Sequence, residues 1–460
     1  MRKFYLFAAA AVLLAACVKT QNVDEVAPIG TDESAVTFDV YASRTTKAGK
    51  PQQIDNAALK AGPGFGVFAY YTNNGKYDKY VTPNFMYNQR VQWNSTANRW
   101  VYEPVKYWPN ETGNAAISDD VDYLTFFAYA PYVISDPATG AVKIPDWMKN
   151  THNEAVEQQR NITGMISNAT MGDPKIQYVV DWEPATSVDL LWGVQPASGD
   201  KKGFPFLNQV KPKITDSTQF NLKHALAKLN VQIDAKMDVV STDPSGAVAD
   251  STKIYIRSVT FEGFATKGAL NLNNTDANKP LWMDYAGINN LLAEPVTITD
   301  GRKDGKEGYK DGVAAREKVV GIDSVLVQSA PYGDPKETPG VTNEPANLFT
   351  PIDRALATAV TDPIYVIPNN DPVKITIVYD VETKDSKLAG YLSDGVTHGS
   401  SIENTITKDV FFTSGSPMVM QPGYAHIIKL HLGMTSVKVE ATVTDWEATT
   451  VKDTDLPANN

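Results

Sequence analysis

Val36-Thr-Phe-Asp-Val-Tyr-Ala-Ser-Arg-Thr45 is the stretch from which the rest of the chain is best read. Val36, Phe38, Val40 and Ala42 fall on one face; Thr37, Asp39, Tyr41 and Ser43 fall on the other. Period-two alternation of this kind predicts a strand with one buried face and one wet face. The stretch that follows, Arg44-Thr-Thr-Lys-Ala-Gly-Lys-Pro51, is basic, small and without periodicity, and it reads as a loop.

The same grammar recurs along the chain. Gly64-Phe-Gly-Val-Phe-Ala-Tyr-Tyr71 is a dense apolar strand that ends before Asn73-Asn74-Gly75. Val91 and Trp93, then Trp100 and Tyr102, flank the turn cluster Asn94 to Asn98, the pattern of a hairpin. Tyr123-Leu-Thr-Phe-Phe-Ala-Tyr-Ala-Pro131 is a buried strand stopped by proline. Val188 to Gly193 is a short strand, and His152 to Arg160 is predicted as a short helix. Phe220 to Ile233 begins and ends as a strand, with a helical turn expected over His224 to Lys228. Ile254 to Phe264 alternates strongly, with a turn expected at Gly263. Ile364 to Ile367, Val373 to Val381, Val410 to Phe412, Ala425 to Leu432 and Val437 to Val443 complete the set. Short strands with few helices predict an all-β protein of two tandem β-sandwich domains, of about 190 and 240 residues. Gly199 to Asp216, rich in Lys, Pro and Gly, is the expected linker. The expected domains are therefore 35–216 and 217–460.

The opening of the chain has another character. Arg2 and Lys3 precede an apolar run from Phe4 to Leu14, then Leu13-Leu-Ala-Ala-Cys17. That order reads as a secretory signal over 1–16. It resembles a bacterial lipobox, in which the cysteine is acylated and becomes the new first residue. Residues 17–34 then form a lipidated tether on Cys17. The alternative is a plain signal cut near Ala16. The run is too short to span a bilayer, which takes about 20 residues. Cys17 is the only cysteine, so no disulfide can form within the chain, and packing must hold an exported protein together.

Composition narrows the function classes. The chain has 42 Lys plus Arg against 53 Asp plus Glu, a formal charge of −11. This argues against a nucleic-acid partner, which would demand a basic patch. Tyr is frequent at 21 and Trp at 8, a mixture that suits strands.

Candidate chemistry is sparse. Of the five histidines, His426 and His431 lie five apart on a predicted strand and face opposite sides, so they cannot share a metal there. His398 sits near Ser400 and Ser401 without the sharp turn that supports a serine nucleophile. The Asp300 to Gly312 loop has acids at the wrong spacing for a calcium loop. No phosphate-cradling loop or dinucleotide fingerprint is present. Neither a cofactor nor a metal is expected, and the chain does not read as an enzyme. Trp93, Trp100 and Trp108 are either core or a sugar-stacking platform.

Several segments together resemble the fimbrillin family, the pilus subunits of Gram-negative anaerobes. The resemblance starts at the lipobox with Cys17 and continues through Val36 to Thr45, Gly64 to Tyr70 and Tyr123 to Pro131. Val188-Asp-Leu-Leu-Trp192, Phe220 to Leu229, Gly263 to Leu272 and the ending Val443-Thr-Asp-Trp446 extend it. It implies two transthyretin-like domains and a structural subunit, stalk or tip, of a surface fimbrium used in adhesion. It implies travel as an outer-membrane lipoprotein, then cutting between Arg44 and Thr45 by an arginine-directed protease. Loss of residues 17 to 44 would remove a central strand, and the strand of another subunit would fill the gap, giving a head-to-tail polymer. Val437, Val439, Ala441 and Val443 alternate suitably to donate such a strand. Implied partners are other pilus subunits, the outer membrane through the lipid before processing, and a host protein or glycan receptor. The competing reading is a cell-surface glycan-binding lipoprotein with the tryptophans as its platform.

Overall fold

The computed structural model describes residues 35–42, 54–73, 75–109, 122–143, 161–180, 187–196, 203–211, 217–235, 252–274, 281–288, 294–300, 326–328, 346–347, 364–368, 372–391, 398–413, 416–417, 420–432 and 437–445. These residues form an all-β protein, with a short helix at Asn56–Ala61.

The largest sheet has eight strands. Its path runs Phe38–Ala42, Thr218–His224, Leu191–Val194, Tyr123–Ala130, Phe65–Thr72, Met86–Asn94, Arg99–Val101, and Phe206–Gln209 pairs with Tyr123–Ala130 off that path. The two middle strands show no alternation, because residues 65–70 and 124–130 are buried throughout. A strand covered on both faces reads as a continuous apolar run. Phe65, Val67, Phe126 and Ala128 join one core; Phe68, Tyr70, Phe127 and Tyr129 join the other. Gly64 enters the sheet at φ +81, and a Cβ there would stand 2.0 Å from the Val91 carbonyl oxygen, so only glycine allows this approach.

The opening strand, Phe38–Ala42, alternates as the sequence predicts, with Phe38, Val40 and Ala42 buried and Asp39 and Tyr41 exposed. It pairs parallel with Thr218–His224, setting Phe38 opposite Thr218, Val40 opposite Phe220 and Ala42 opposite Leu222. It is an edge strand of the ladder and not a central one, which corrects the placement implied by the resemblance. Among the described residues, its other flank is held at the start, where Val36 N–H donates to the Lys106 carbonyl (2.9 Å) and Ala35 bridges Tyr107. Because Tyr107 follows the far end of the sheet, the opening strand staples the two ends of a curled sheet.

The remaining sheets are smaller. Ile162–Met165, Lys175–Val179, Lys267–Asn271 and Trp282–Met283 form one of four strands. Ala227–Ala235 lies between Ala346–Asn347 and Tyr424–Leu432 in a five-stranded sheet that ends on Val437–Asp445. Thr252–Phe264 and Lys374–Lys384 are the middle of another, with Glu294–Asp300 and Gly399–Asp409 at its two ends.

Four expectations change. The expected linker holds a strand: Phe206–Gln209 pairs with Tyr123–Ala130, and the Phe206 ring packs on Phe220 at 5.2 Å. The first sheet therefore continues past residue 216, through Thr218–His224. The helical turn at 224–228 does not form, because tertiary partners take its backbone groups. Ala225 N–H donates to the Leu190 carbonyl, Trp282 Nε1–H donates to the Ala225 carbonyl and Gly423 N–H donates to the Leu226 carbonyl, each at 2.8 Å. Gly263, at φ +104, is an irregularity within a strand and not a turn. The helix at Asn56–Ala61 is an addition, capped by Asp55, whose carboxylate accepts from Ala58 N–H at 2.8 Å. The expected helix at 152–160 lies outside the described residues.

Candidate functional site

The opening strand lies in an apolar groove of the eight-stranded sheet. Phe38 sets the depth of that groove: its ring stacks on Phe220 (5.9 Å, 24°), meets Phe126 edge-on (5.6 Å, 81°) and lies tilted against Tyr102 (5.5 Å, 52°). Burying such a ring contributes roughly 1.5–3 kcal/mol before packing terms. Tyr102 also clamps the backbone, donating its hydroxyl to the Val36 carbonyl at 2.7 Å. Burial pushes the Tyr102 phenol up to about 12, so it keeps the proton it donates at neutral pH.

Polar contacts fix the register. Thr218 N–H donates to the Thr37 carbonyl (2.8 Å), and the Thr37 hydroxyl donates to Ser217 Oγ (3.1 Å). At the far end, Ala42 N–H donates to Asn56 Oδ1 at 2.7 Å, so the first residue of the short helix closes the groove. Ala42 itself is fully buried, leaving no room for a larger side chain without strain. Lifting the strand out would expose the aromatic floor and leave the backbone edge of Thr218–His224 unpaired, a template for a replacement strand.

The last strand, Val437–Asp445, is also an edge strand. It pairs antiparallel with Tyr424–Leu432 over nine residues, from Val437 opposite Leu432 to Asp445 opposite Tyr424. Val439 and Ala441 are half-buried against the core, whereas Val443 is 40% exposed. The expected donor strand is thus a strand, docked on its own domain. Cys17, Arg44 and Thr45 lie outside the described residues.

The tryptophans face inward. Trp100 and Trp108 are buried in the core that the opening strand completes, and Trp93 packs against it, edge-on to Trp100 (5.4 Å, 71°). Lys60 Nζ sits 3.7 Å over the Trp93 ring and covers one of its faces.

His224, His398 and His426 serve packing and hydrogen bonding. His398 Nδ1 lies 2.7 Å from the Leu388 carbonyl. His426 is fully buried, its Nε2 accepts from Gln421 N–H (3.3 Å), and burial lowers its pKa to about 4. Sequence reasoning missed a buried pair, His224 Nδ1 to Asp189 Oδ2 at 2.8 Å. The available signal was Asp189 itself, an acid inside the apolar run Val188 to Trp192. The pair ties the end of the Thr218–His224 strand to the chain entering Leu191–Val194. Among the described residues, no group of three His, Cys, Asp or Glu could hold a metal ion, and no helix is long and apolar enough to cross a membrane.

No family model matches the chain. It is 24% identical over 450 residues to the fimbrium subunit Fim1C of Phocaeicola vulgatus, an alignment covering 95% of this chain and 94% of that protein. A fimbrial protein from Bacteroides vulgatus, solved by crystallography, shares the fold at a TM-score of 0.51 and 20% identity, over 90% of this chain and 99% of that one. The resemblance to pilus subunits read from the motifs therefore holds over nearly the whole length.

Proposed function

We propose that this chain is a structural subunit of a surface fimbrium, assembled by exchange of strands between subunits and serving adhesion. The observation that carries this reading is the seat of the opening strand. This strand, Phe38–Ala42, lies at the edge of the sheet path, pairs with Thr218–His224, and plugs a groove lined by Phe126, Phe220 and Tyr102. In this reading Cys17 carries the lipid that delivers the subunit to the outer membrane. Cutting between Arg44 and Thr45 frees the segment that ends there, and the vacated groove takes a strand from another subunit. The strand holding Val437, Val439, Ala441 and Val443 leaves its own sheet edge to enter the next groove. A head-to-tail union of this kind does not close on itself and gives a filament. The two sandwich domains act as rigid links, and a host protein or glycan is the receptor.

The test is an antibody to this chain on membrane and sheared surface fractions, run on SDS gels with and without boiling. Strand-exchanged subunits should appear as a ladder of high-mass bands that collapses to a monomer on boiling. A monomer in both lanes, with no label on surface filaments in the electron microscope, would remove the assembly role.

A further inference from the structure

We infer that the groove under the opening strand selects its donor by an aromatic pocket at one end and a small-residue site at the other, and that it rejects the last strand of its own kind. The inference rests on the strand-exchange reading above. It adds the chemistry of the partner: a strand from a different subunit, with an aromatic residue in step with a β-branched residue and then a small one.

The native plug defines the lock. Its inward residues are Phe38, Val40 and Ala42, preceded by buried Val36. The Phe38 site is walled by three rings, from Tyr102, Phe126 and Phe220, at 5.5 to 5.9 Å. The Tyr102 hydroxyl also accepts from Lys106 N–H at 3.2 Å, a bond that stays when the opening strand leaves, so this wall is poorly placed to collapse inward. A smaller side chain there leaves a cavity. The Ala42 site is the opposite case, fully buried beside the start of the Asn56–Ala61 helix, where Asn56 takes the Ala42 N–H. A larger side chain there overpacks.

The last strand reads Val437-Lys-Val-Glu-Ala-Thr-Val-Thr-Asp445 and holds no aromatic residue. The register that sets Val439 on the Val40 site and Ala441 on the Ala42 site places Val437 where Phe38 stands. Shifting two residues along sets Val439 on the aromatic site and Val443 on the alanine site, wrong at both ends. A shift by one turns Lys438 and Glu440 inward. Each of these three registers leaves the pocket underfilled or charged, so Val437–Asp445 should not fill the groove of a second copy.

The experiment uses the full chain with a specific protease site inserted between Thr46 and Lys47. The cut leaves the opening strand seated without a covalent link. Four labelled peptides then compete for the groove: residues 35–43, the same peptide with Phe38→Ala, residues 433–445, and that peptide with Val437→Phe. The 35–43 peptide should exchange in. Its Phe38→Ala form and the native 433–445 peptide should each bind at least about tenfold more weakly, and Val437→Phe should recover most of the loss. Native 433–445 binding as tightly as 35–43, or Val437→Phe gaining nothing, would overturn the donor rule while leaving strand exchange intact. Failure of the 35–43 peptide itself to enter would overturn strand exchange and the rule together.

Discussion

The first and last strands of this protein occupy similar places and are held by different physics. Each is an edge strand paired along one side, parallel to Thr218–His224 in one case and antiparallel to Tyr424–Leu432 in the other. The first makes five ladder pairs, yet it puts an aromatic ring into a pocket of three others and caps both ends with side-chain hydrogen bonds. The last makes nine ladder pairs, while Val439 and Ala441 are only half-buried and Val443 is exposed. Backbone pairing is similar in kind for both, so side-chain burial sets how firmly each is seated. In the proposed assembly, the segment that plugs a core is buried, and the one that would leave its sheet is lightly packed.

Substitutions can break that contrast. The largest effect should come from Phe38→Ala, which empties the pocket between Tyr102, Phe126 and Phe220 and should cost about 3–5 kcal/mol in urea unfolding. A loss below about 1 kcal/mol would mean that the groove collapses onto the gap and that the ring does not anchor the strand.

Acid should act on the other end. The histidine beneath the last strand, His426, has its pKa held near 4 by burial, against an ordinary value of 6.5. Below pH 6.5 the unfolded chain takes up a proton that the fold refuses, so stability falls as the pH drops from 6.5 towards 4 and is flat above that window. The displacement corresponds to roughly 3 kcal/mol at full extent. Urea midpoints measured between pH 4 and 7.5 should show this slope, and His426→Leu should flatten it. An unchanged slope in that variant would assign the acid sensitivity elsewhere.

Smaller changes sharpen the same comparison. Asn56→Ala removes the acceptor for the buried Ala42 N–H and should cost about 1–2 kcal/mol, with faster amide exchange at Ala42. Val443→Ala on the exposed face of the last strand should cost less than about 0.5 kcal/mol. Equal costs at these two positions would erase the difference in seating.

Much of this fold was legible because the side-chain period of a strand is two. Val36 to Ala42 announced its buried face, and the Asn94 to Asn98 turn announced the Trp93 and Trp100 hairpin. The edge position of the opening strand was not legible, since pairing with Thr218–His224 spans some 180 residues and leaves no local mark. The strand Phe206–Gln209, inside the stretch expected as a linker, was hidden for a related reason. Phe206 is placed by its packing on Phe220, a partner that local composition does not reveal. The helical turn at 224–228 had helical composition and was overridden by three tertiary hydrogen bonds. The small helix at Asn56–Ala61 did leave a local mark, Asp55 as its cap and Gly62 after its end. The tryptophans showed the limit of composition: their count allowed a platform or a core, and only the inward turn of Trp100 and Trp108 decides for core.

The most direct test is native mass spectrometry of the full chain cut once at the inserted site between Thr46 and Lys47. The account predicts that the amino-terminal fragment stays bound after the cut and departs only when a competing strand takes its seat. Spontaneous loss of that fragment, with the remainder monomeric and melting at the temperature of the uncut chain, would contradict it.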